Sequence, residues 1–119
     1  MTVHIALLTV MPPGVTARRM ESYTDRVMPL DALCAWRARL REEGRTLVMT
    51  NGCFDLLHPG HVDYLNRAGD EGDALLVAVN GDDSIRRLKG GDRPLIPAAG
   101  RVLMLASLAA VDAVHVFTG

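Results

Sequence analysis

The sequence predicts an α/β fold in which helices cover a parallel, doubly wound β-sheet. Three short apolar segments indicate strands, at residues 46–50, 74–79 and 113–117. The middle segment is apolar on both faces, which is typical of a parallel sheet covered by helices on both sides. Segments with helical periodicity separate the strands. Because strand–helix–strand crossovers are right-handed, this alternation predicts the first half of a doubly wound fold.

The first helix is predicted between Pro29 and Gly44. Asp31 is the expected N-cap, and Gly44 is a natural stop at the C-terminal end. Apolar residues recur along this segment at helical spacing, at Leu33, Trp36 and Leu40. Arginines lie between them, so we expect one helix face on the core and the other in water.

Three further helices are predicted from the same signals. One begins near Pro59, because proline suits the first helical turn, and ends at Gly69. A short helix runs from Asp82, with acidic capping residues, to Leu88. The last helix is predicted from Arg101 to Ala110, after a loop rich in glycine and proline.

The composition is that of one globular domain. The chain has 119 residues, of which 49% are hydrophobic and 23% charged, with a formal net charge of −1. Nothing in this balance indicates a nucleic-acid or membrane partner, and no apolar segment approaches the roughly 20 residues of a membrane helix. Cys34 and Cys53 are too few for a disulfide framework. We therefore expect a cytoplasmic protein.

Residues 1–26 carry little periodicity, and we interpret them as an N-terminal arm that precedes a domain at residues 27–119. The arm contains one apolar segment that could form a strand, Val3 to Val10. A Pro-Pro-Gly turn signal follows it.

The segment between the first strand and the second helix, Thr50 to His61, carries the chemistry. It lies at the carboxyl end of a strand, where doubly wound folds bind ligands. Gly52 and Gly60 would allow a ligand to approach the backbone, and the helix N-terminus favours phosphate. His58 and His61 fit one side of the first turn. Their spacing alone leaves three interpretations open: structural histidines, a metal site with Asp55, or a phosphate site.

The whole segment resembles the nucleotidyltransferase superfamily with the HxGH signature. That signature is His58-Pro59-Gly60-His61 here, and its companion GxFD segment is Gly52-Cys53-Phe54-Asp55. From about Val27 to Phe117 the sequence is similar to that of heptose 1-phosphate adenylyltransferases. The matching segments are Gly72-Asp73, Val77-Ala78-Val79-Asn80 with Asp82, Arg87-Leu88-Lys89-Gly90, Arg93-Pro94, Arg101 and Ala110-Val111-Asp112.

This resemblance implies a Rossmann-like fold and the reaction of ATP with a heptose 1-phosphate to give ADP-heptose and pyrophosphate, with Mg²⁺. ADP-heptose is a precursor for lipopolysaccharide core or other surface glycans. We also expect a homo-oligomer. The resemblance implies catalytic roles for His58, His61 and Lys89 on the triphosphate. It implies nucleotide or cofactor binding by Asn51, Gly52, Cys53, Phe54, Asp55, Gly60, Asn80, Asp82, Arg93 and Arg101, with Phe54 and Asp55 using their backbone N–H groups.

Structural or solvent-exposed roles remain open for several of these residues. Lys89, the only lysine, could be a solvated loop residue. Asp82 could cap a helix, Arg93 and Arg101 could form surface ion pairs, and Cys53 is expected to be a small packed residue rather than a nucleophile.

The chain departs from the family pattern after its third strand. The pattern continues with a KGxD-type segment, two further strands and a Ser/Thr-rich motif, so we interpret the chain as a fragment or a shortened homologue. We also expect one side of the first strand to lack its partner, unless a partner chain or the arm covers it. Two other functions stay open, a cytidylyltransferase for glycerol phosphate or a similar alcohol phosphate, and an inactive nucleotide-binding or assembly module.

Overall fold

Three parallel strands in the order β1-β2-β3 form the sheet of the computed structural model, which describes residues 22–118. The strands are β1 (Leu47–Gly52), β2 (Ala74–Asn80) and β3 (Ala113–Phe117). In the register of the sheet, Val77 at the centre of β2 lies between Thr50 of β1 and Val114 of β3. The three predicted strands are confirmed to within two residues at each end. The apolar segment Val3 to Val10 lies outside the described residues.

Four α-helices accompany the sheet: α1 (Leu30–Glu42), α2 (Pro59–Gly69), α3 (Asp82–Lys89) and α4 (Ala98–Ala106). The predicted cap of α1 is wrong, because Pro29 is the N-cap and Asp31 is the second helical residue. The Asp31 carboxylate accepts a hydrogen bond from the N–H of Ala32 instead. None of the helices within residues 22–118 is long and apolar enough to cross a membrane.

Helix α4 begins three residues earlier than predicted and ends four residues earlier, at Ala106. Its start is fixed by a partner that lies far away in sequence, since the Asp82 carboxylate accepts from the N–H of Ala98 at 2.9 Å. Asp82 therefore caps α4, whereas the N-cap of its own helix is Gly81. Residues 107–112 connect α4 to β3.

The core lies between the sheet and helices α2 and α4. Its fully buried side chains include Leu65, Leu75, Val77, Val79, Leu105, Val111 and Val114. Helix α1 contributes less than its periodicity predicts, because only Leu40 is buried, whereas Leu33 and Trp36 are half-buried.

The described part of the N-terminal arm packs beside β3. Residues Tyr23–Arg26 form a short 3-10 helix, and the Arg26 guanidinium donates to the carbonyls of Ala106, Leu108 and Val111 at 3.1, 3.2 and 3.0 Å. Val27 then makes a parallel bridge with Val114. Strand β1 lies at the opposite edge and, within residues 22–118, pairs with β2 alone. The described arm residues therefore do not cover the open side of β1.

Candidate active site

Phe54 holds an unusual backbone conformation in the loop between β1 and α2. Its φ of +48° is rare for a bulky residue, and such positions cluster at functional sites. The Phe54 ring lies over Gly52, where an added Cβ would be 2.9 Å from the ring Cε2. Gly52 was expected to admit a ligand to the backbone. In the structure, the Phe54 ring occupies the space in which a side chain at position 52 would lie.

His58 and His61 form a reciprocal cap at the N-terminus of α2. The Nδ1 atom of His58 accepts from the N–H of Gly60 at 3.0 Å, and the Nδ1 atom of His61 accepts from the N–H of His58 at 3.3 Å. The two rings are in contact, with centroids 3.9 Å apart and planes tilted by 34°. Gly60 makes this possible, because a Cβ there would lie 2.7 Å from the His58 Cε1.

This cap changes how the helix N-terminus is expected to meet an anion. The N–H of Gly60 is bonded to the His58 ring, and the N–H of His61 is bonded to the His58 carbonyl at 2.9 Å. These two donors of the first turn are therefore already used, so they are not available to the phosphate that the helix N-terminus was expected to favour. Because both Nδ1 atoms act as acceptors, each neutral ring carries its proton on Nε2. Each imidazole thus keeps one donor, Nε2–H, that the cap does not use.

A cavity of about 430 Å³, here named the His61 cavity, gathers most of the predicted site. Its walls are Asn51, Gly52, Cys53, Phe54, Asp55, Leu56, His61, Tyr64, Lys89 and Arg93. Eight of these ten are predicted site residues. His58 lies on the far side of the His61 ring and lines a separate apolar groove with Leu57, Pro59 and Val62. Asn80, Asp82, Gly60 and Arg101 do not line the cavity.

Positive charge converges on this cavity. Lys89 is the last residue of α3, and Arg93 follows it after a short glycine-containing segment.

Burial lowers the pKa of His61 below its usual 6.5, and the neighbouring charges of His58 and Lys89 lower it further. His61 is therefore predominantly neutral at pH 7, with its Nε2–H available as a donor.

The Asp55 carboxylate holds the segment that follows Arg93. It accepts from the N–H groups of Leu95 and Ile96, both at 2.9 Å, and from Arg93 Nη1 at 2.8 Å. The Ile96 and Leu95 hydrogen bonds, followed by the Arg93 guanidinium, lower the pKa of Asp55 from 3.8 to about 2. Its side chain is 4% exposed.

Asp55, His58 and His61 therefore do not form the ligand set that the metal-site interpretation requires. The Asp55 carboxylate is engaged elsewhere, and the Nδ1 atoms of both histidines serve the helix cap. Among residues 22–118, no group of three histidine, cysteine or acidic side chains is placed to hold a metal ion.

Arg101 is wholly buried beneath the site. Its guanidinium donates to the carbonyls of Ile96, Cys53 and Asn80 at 2.9, 2.8 and 2.7 Å, and to the Asp82 carboxylate at 2.6 Å. The alternative of a surface ion pair is therefore wrong for Arg101, which has no exposed surface. Arg101 joins the carboxyl ends of β1 and β2, so its observed contacts hold the floor of the site in place.

Two residues of the His61 cavity were missed by sequence reasoning. Tyr64 lies one turn after His61 on α2, and its hydroxyl is 2.5 Å from the Thr50 Oγ1 on β1. The i, i+3 spacing from His61 was a usable signal for Tyr64. Leu56 is half exposed at the cavity wall, and no sequence pattern distinguishes it from its neighbour Leu57.

Comparison with known proteins identifies relatives of this chain. Proteins named bifunctional protein HldE match the chain at 60% identity over 80 residues in Methylococcus capsulatus and at 47% identity over 112 residues in Geotalea uraniireducens. These matches cover 67% and 92% of this chain, but 17% and 23% of the two relatives. The chain thus spans about a fifth of the length of the curated relatives it matches.

A solved structure shares the fold. It is the crystal structure of the lipopolysaccharide core biosynthesis protein from Thermoplasma volcanium, which matches with a TM-score of 0.58 at 34% identity. The match covers 62% of this chain and 59% of that one. The three parallel strands with their helices are therefore part of a nucleotidyltransferase-like α/β fold.

The family model described as cytidylyltransferase-like matches residues 49–119, more than half of the chain. The matched range begins within β1 and includes the histidine cap, the His61 cavity and the buried Arg101. The chain belongs to the cytidylyltransferase-like family, and its domain is a nucleotidyltransferase-like domain related to the bifunctional protein HldE.

Proposed function

We propose that this domain transfers AMP from ATP to a sugar 1-phosphate, D-glycero-D-manno-heptose 1-phosphate, and releases ADP-heptose and pyrophosphate. One observation carries the proposal: His61, Lys89 and Arg93 surround a single cavity beside the N-terminus of α2. This arrangement suits a triphosphate, because cations and a helix dipole both stabilise its negative charge. The choice of sugar rests on the sequence resemblance.

In the proposed reaction, a phosphate oxygen of the sugar 1-phosphate attacks the α-phosphorus of ATP. A new P–O bond forms there as the bond to the β-phosphate oxygen breaks, and pyrophosphate leaves with the electron pair. The Nε2–H of His61 donates to a phosphate oxygen within the cavity, while Lys89 and Arg93 offset the charge that develops there. The Nε2–H of His58, outside the cavity, donates to the part of the triphosphate that extends beyond the His61 ring. Phe54 and Asp55 contribute backbone N–H groups. No covalent enzyme intermediate is required.

Mg²⁺ enters this proposal as part of the substrate, MgATP. Asp55 is the carboxylate that lines the cavity among the described residues, and it is already paired with Arg93. Mg²⁺ prefers to keep several waters and to bind phosphate oxygens, so a nucleotide can carry it in without a protein carboxylate cage.

Pyrophosphate release by the whole chain tests the proposal, with ATP and CTP each supplied alongside heptose 1-phosphate or glycerol phosphate. We expect turnover with ATP and the heptose. His61→Ala should lower kcat/KM by roughly 10²- to 10³-fold, because it removes a donor to the transition state. His115→Ala is the matched control. It removes an imidazole that contacts the Met28 carbonyl rather than the cavity, and it should retain activity.

The other outcomes separate the remaining functions. Turnover with CTP and glycerol phosphate instead would identify a cytidylyltransferase. ATP binding without turnover would identify an inactive nucleotide-binding module. Equal turnover by wild type and His61→Ala would remove His61 from the mechanism.

A further inference from the structure

The segment from Arg93 to Ile96 is held from two sides by buried side chains. The Asp55 carboxylate accepts from the N–H groups of Leu95 and Ile96. Arg101 Nε donates to the Ile96 carbonyl at 2.9 Å. This segment is therefore fixed through its backbone, although it is a loop without regular structure of its own.

Arg93 is the residue through which this loop meets the His61 cavity. Its side chain is 39% exposed, and one of its nitrogens donates to Asp55 at 2.8 Å. A guanidinium has five N–H donors in a planar fork, so one bond to Asp55 leaves others for a ligand. The bond to Asp55 also restricts the orientation of the guanidinium, which would vary freely in a solvated arginine.

The charge of Asp55 is screened from the cavity by its own partners. Two backbone N–H groups and one guanidinium face the carboxylate, and only 4% of its side chain is exposed. A bound anion would therefore meet Arg93 before it met Asp55. The carboxylate can orient the cation without presenting its own negative charge to the ligand.

We propose that Asp55 is a positioning residue whose carboxylate orders the 93–96 segment and directs Arg93 to the phosphates of the nucleotide. This inference rests on the proposed function and adds a role for the Asp55 side chain, distinct from its backbone N–H. Because the pKa of Asp55 is about 2, the carboxylate stays ionised across the neutral range and holds Arg93 at every working pH.

A double-mutant cycle on ATP binding tests the link between the two residues. Arg93→Gln should weaken the ATP Kd roughly tenfold, since it removes a charge-assisted contact, and Asp55→Asn should weaken it by a similar factor. The double variant should be no weaker than either single variant, because Asp55 acts only through Arg93. Asp92→Asn is the matched control. It removes an exposed carboxylate next to Arg93 and should leave the Kd within twofold.

Independent, multiplying effects of roughly a hundredfold in the double variant would overturn the inference, as would wild-type affinity in Asp55→Asn. If the asparagine variant does not fold, Asp55→Glu provides the same comparison. It keeps the charge but moves it by one methylene, so it should weaken binding in chains with Arg93 and leave Arg93→Gln chains unchanged.

Amide hydrogen exchange separates this inference from the proposed function. The N–H groups of Leu95 and Ile96 should be protected in the wild type and in Arg93→Gln, and should lose protection in Asp55→Asn. Unchanged protection in Asp55→Asn would overturn the role of Asp55, whatever the chain binds. Failure of the wild type to bind ATP, with the exchange pattern as expected, would overturn the proposed function and with it the direction of Arg93 to a nucleotide.

Discussion

Replacement of Arg101 by methionine should destabilise the fold more than any other single loss of charge in the site. Methionine keeps an unbranched, apolar chain of similar reach but has no donors. The carbonyls of Cys53, Asn80 and Ile96 would each lose a hydrogen bond of 2.7–2.9 Å, and Asp82 would lose its cation.

The magnitude follows from the burial of these groups. An isolated buried polar group costs about 1–3 kcal/mol, and breaking a buried ion pair costs about 3–5 kcal/mol. Asp82 can recover water because its side chain is 34% exposed, and methionine recovers part of the packing. We therefore expect a loss of about 3–5 kcal/mol of unfolding free energy. That is a large part of the 5–15 kcal/mol typical of a domain.

Urea unfolding followed by circular dichroism measures this loss. With a slope of about 2 kcal/mol/M, the midpoint should fall by roughly 2 M. Arg67→Met is the matched control, because Arg67 also pairs with an aspartate on a helix but its side chain is 78% exposed. That pair is worth about 0.3–0.5 kcal/mol. Arg101→Lys should fall between the two, since one ammonium cannot replace the planar fork.

Equal midpoints for Arg101→Met and Arg67→Met would refute the reasoning. Such a result would mean that the carbonyls beneath the site find other donors at no cost when the guanidinium is removed.

Three further predictions concern the cap, the edge strand and acid stability. Gly60→Ala should displace the His58 ring, because the alanine Cβ would lie 2.7 Å from it. We expect the free energy of unfolding to fall by about 1 kcal/mol and pyrophosphate release to fall at least tenfold, and unchanged turnover would contradict this. Tyr64→Phe should cost about 1 kcal/mol in urea unfolding, since it removes the bond to Thr50, and an unchanged midpoint would show that the bond is not stabilising. The Asp55 pKa is lowered from 3.8 to about 2, so its contribution to stability is present above pH 3.8 and is lost as the pH falls towards 2. Urea midpoints measured across this range should therefore fall in the wild type more than in Asp55→Asn.

Local patterns predicted the positions of the strands and of the histidine pair at the first turn of α2, whereas the other residues of the His61 cavity were implied by the resemblance to a known family. The strand at residues 74–79 is apolar throughout, and His58 and His61 follow a strand directly, so both features are visible within a short window of sequence. The predicted end of α1 is likewise close to the observed C-terminal residue, Glu42, because Gly44 marks it locally.

Features that depend on distant partners could not be predicted in this way. Asp82 lies at the start of one helix but caps another, 16 residues later in the chain. Arg101 has the polarity of a surface residue, and its burial depends on carbonyl groups 21 and 48 residues away. Periodicity describes which face of an element is apolar. It does not identify the long-range acceptors that allow a charged group to be buried.

The contacts of Arg101 also bear on the order in which the molecule can assemble. The carbonyls of Cys53 and Asn80 come together only after β1 and β2 have paired in parallel, which requires the whole α2 crossover to close first. Contacts of such long sequence separation form slowly and late in folding. We therefore expect the floor of the His61 cavity to be absent until β1 and β2 have paired. A nucleotide that recognises the cavity would bind the native state alone. Saturating the protein with this nucleotide would therefore raise the melting temperature of the whole domain rather than of one loop.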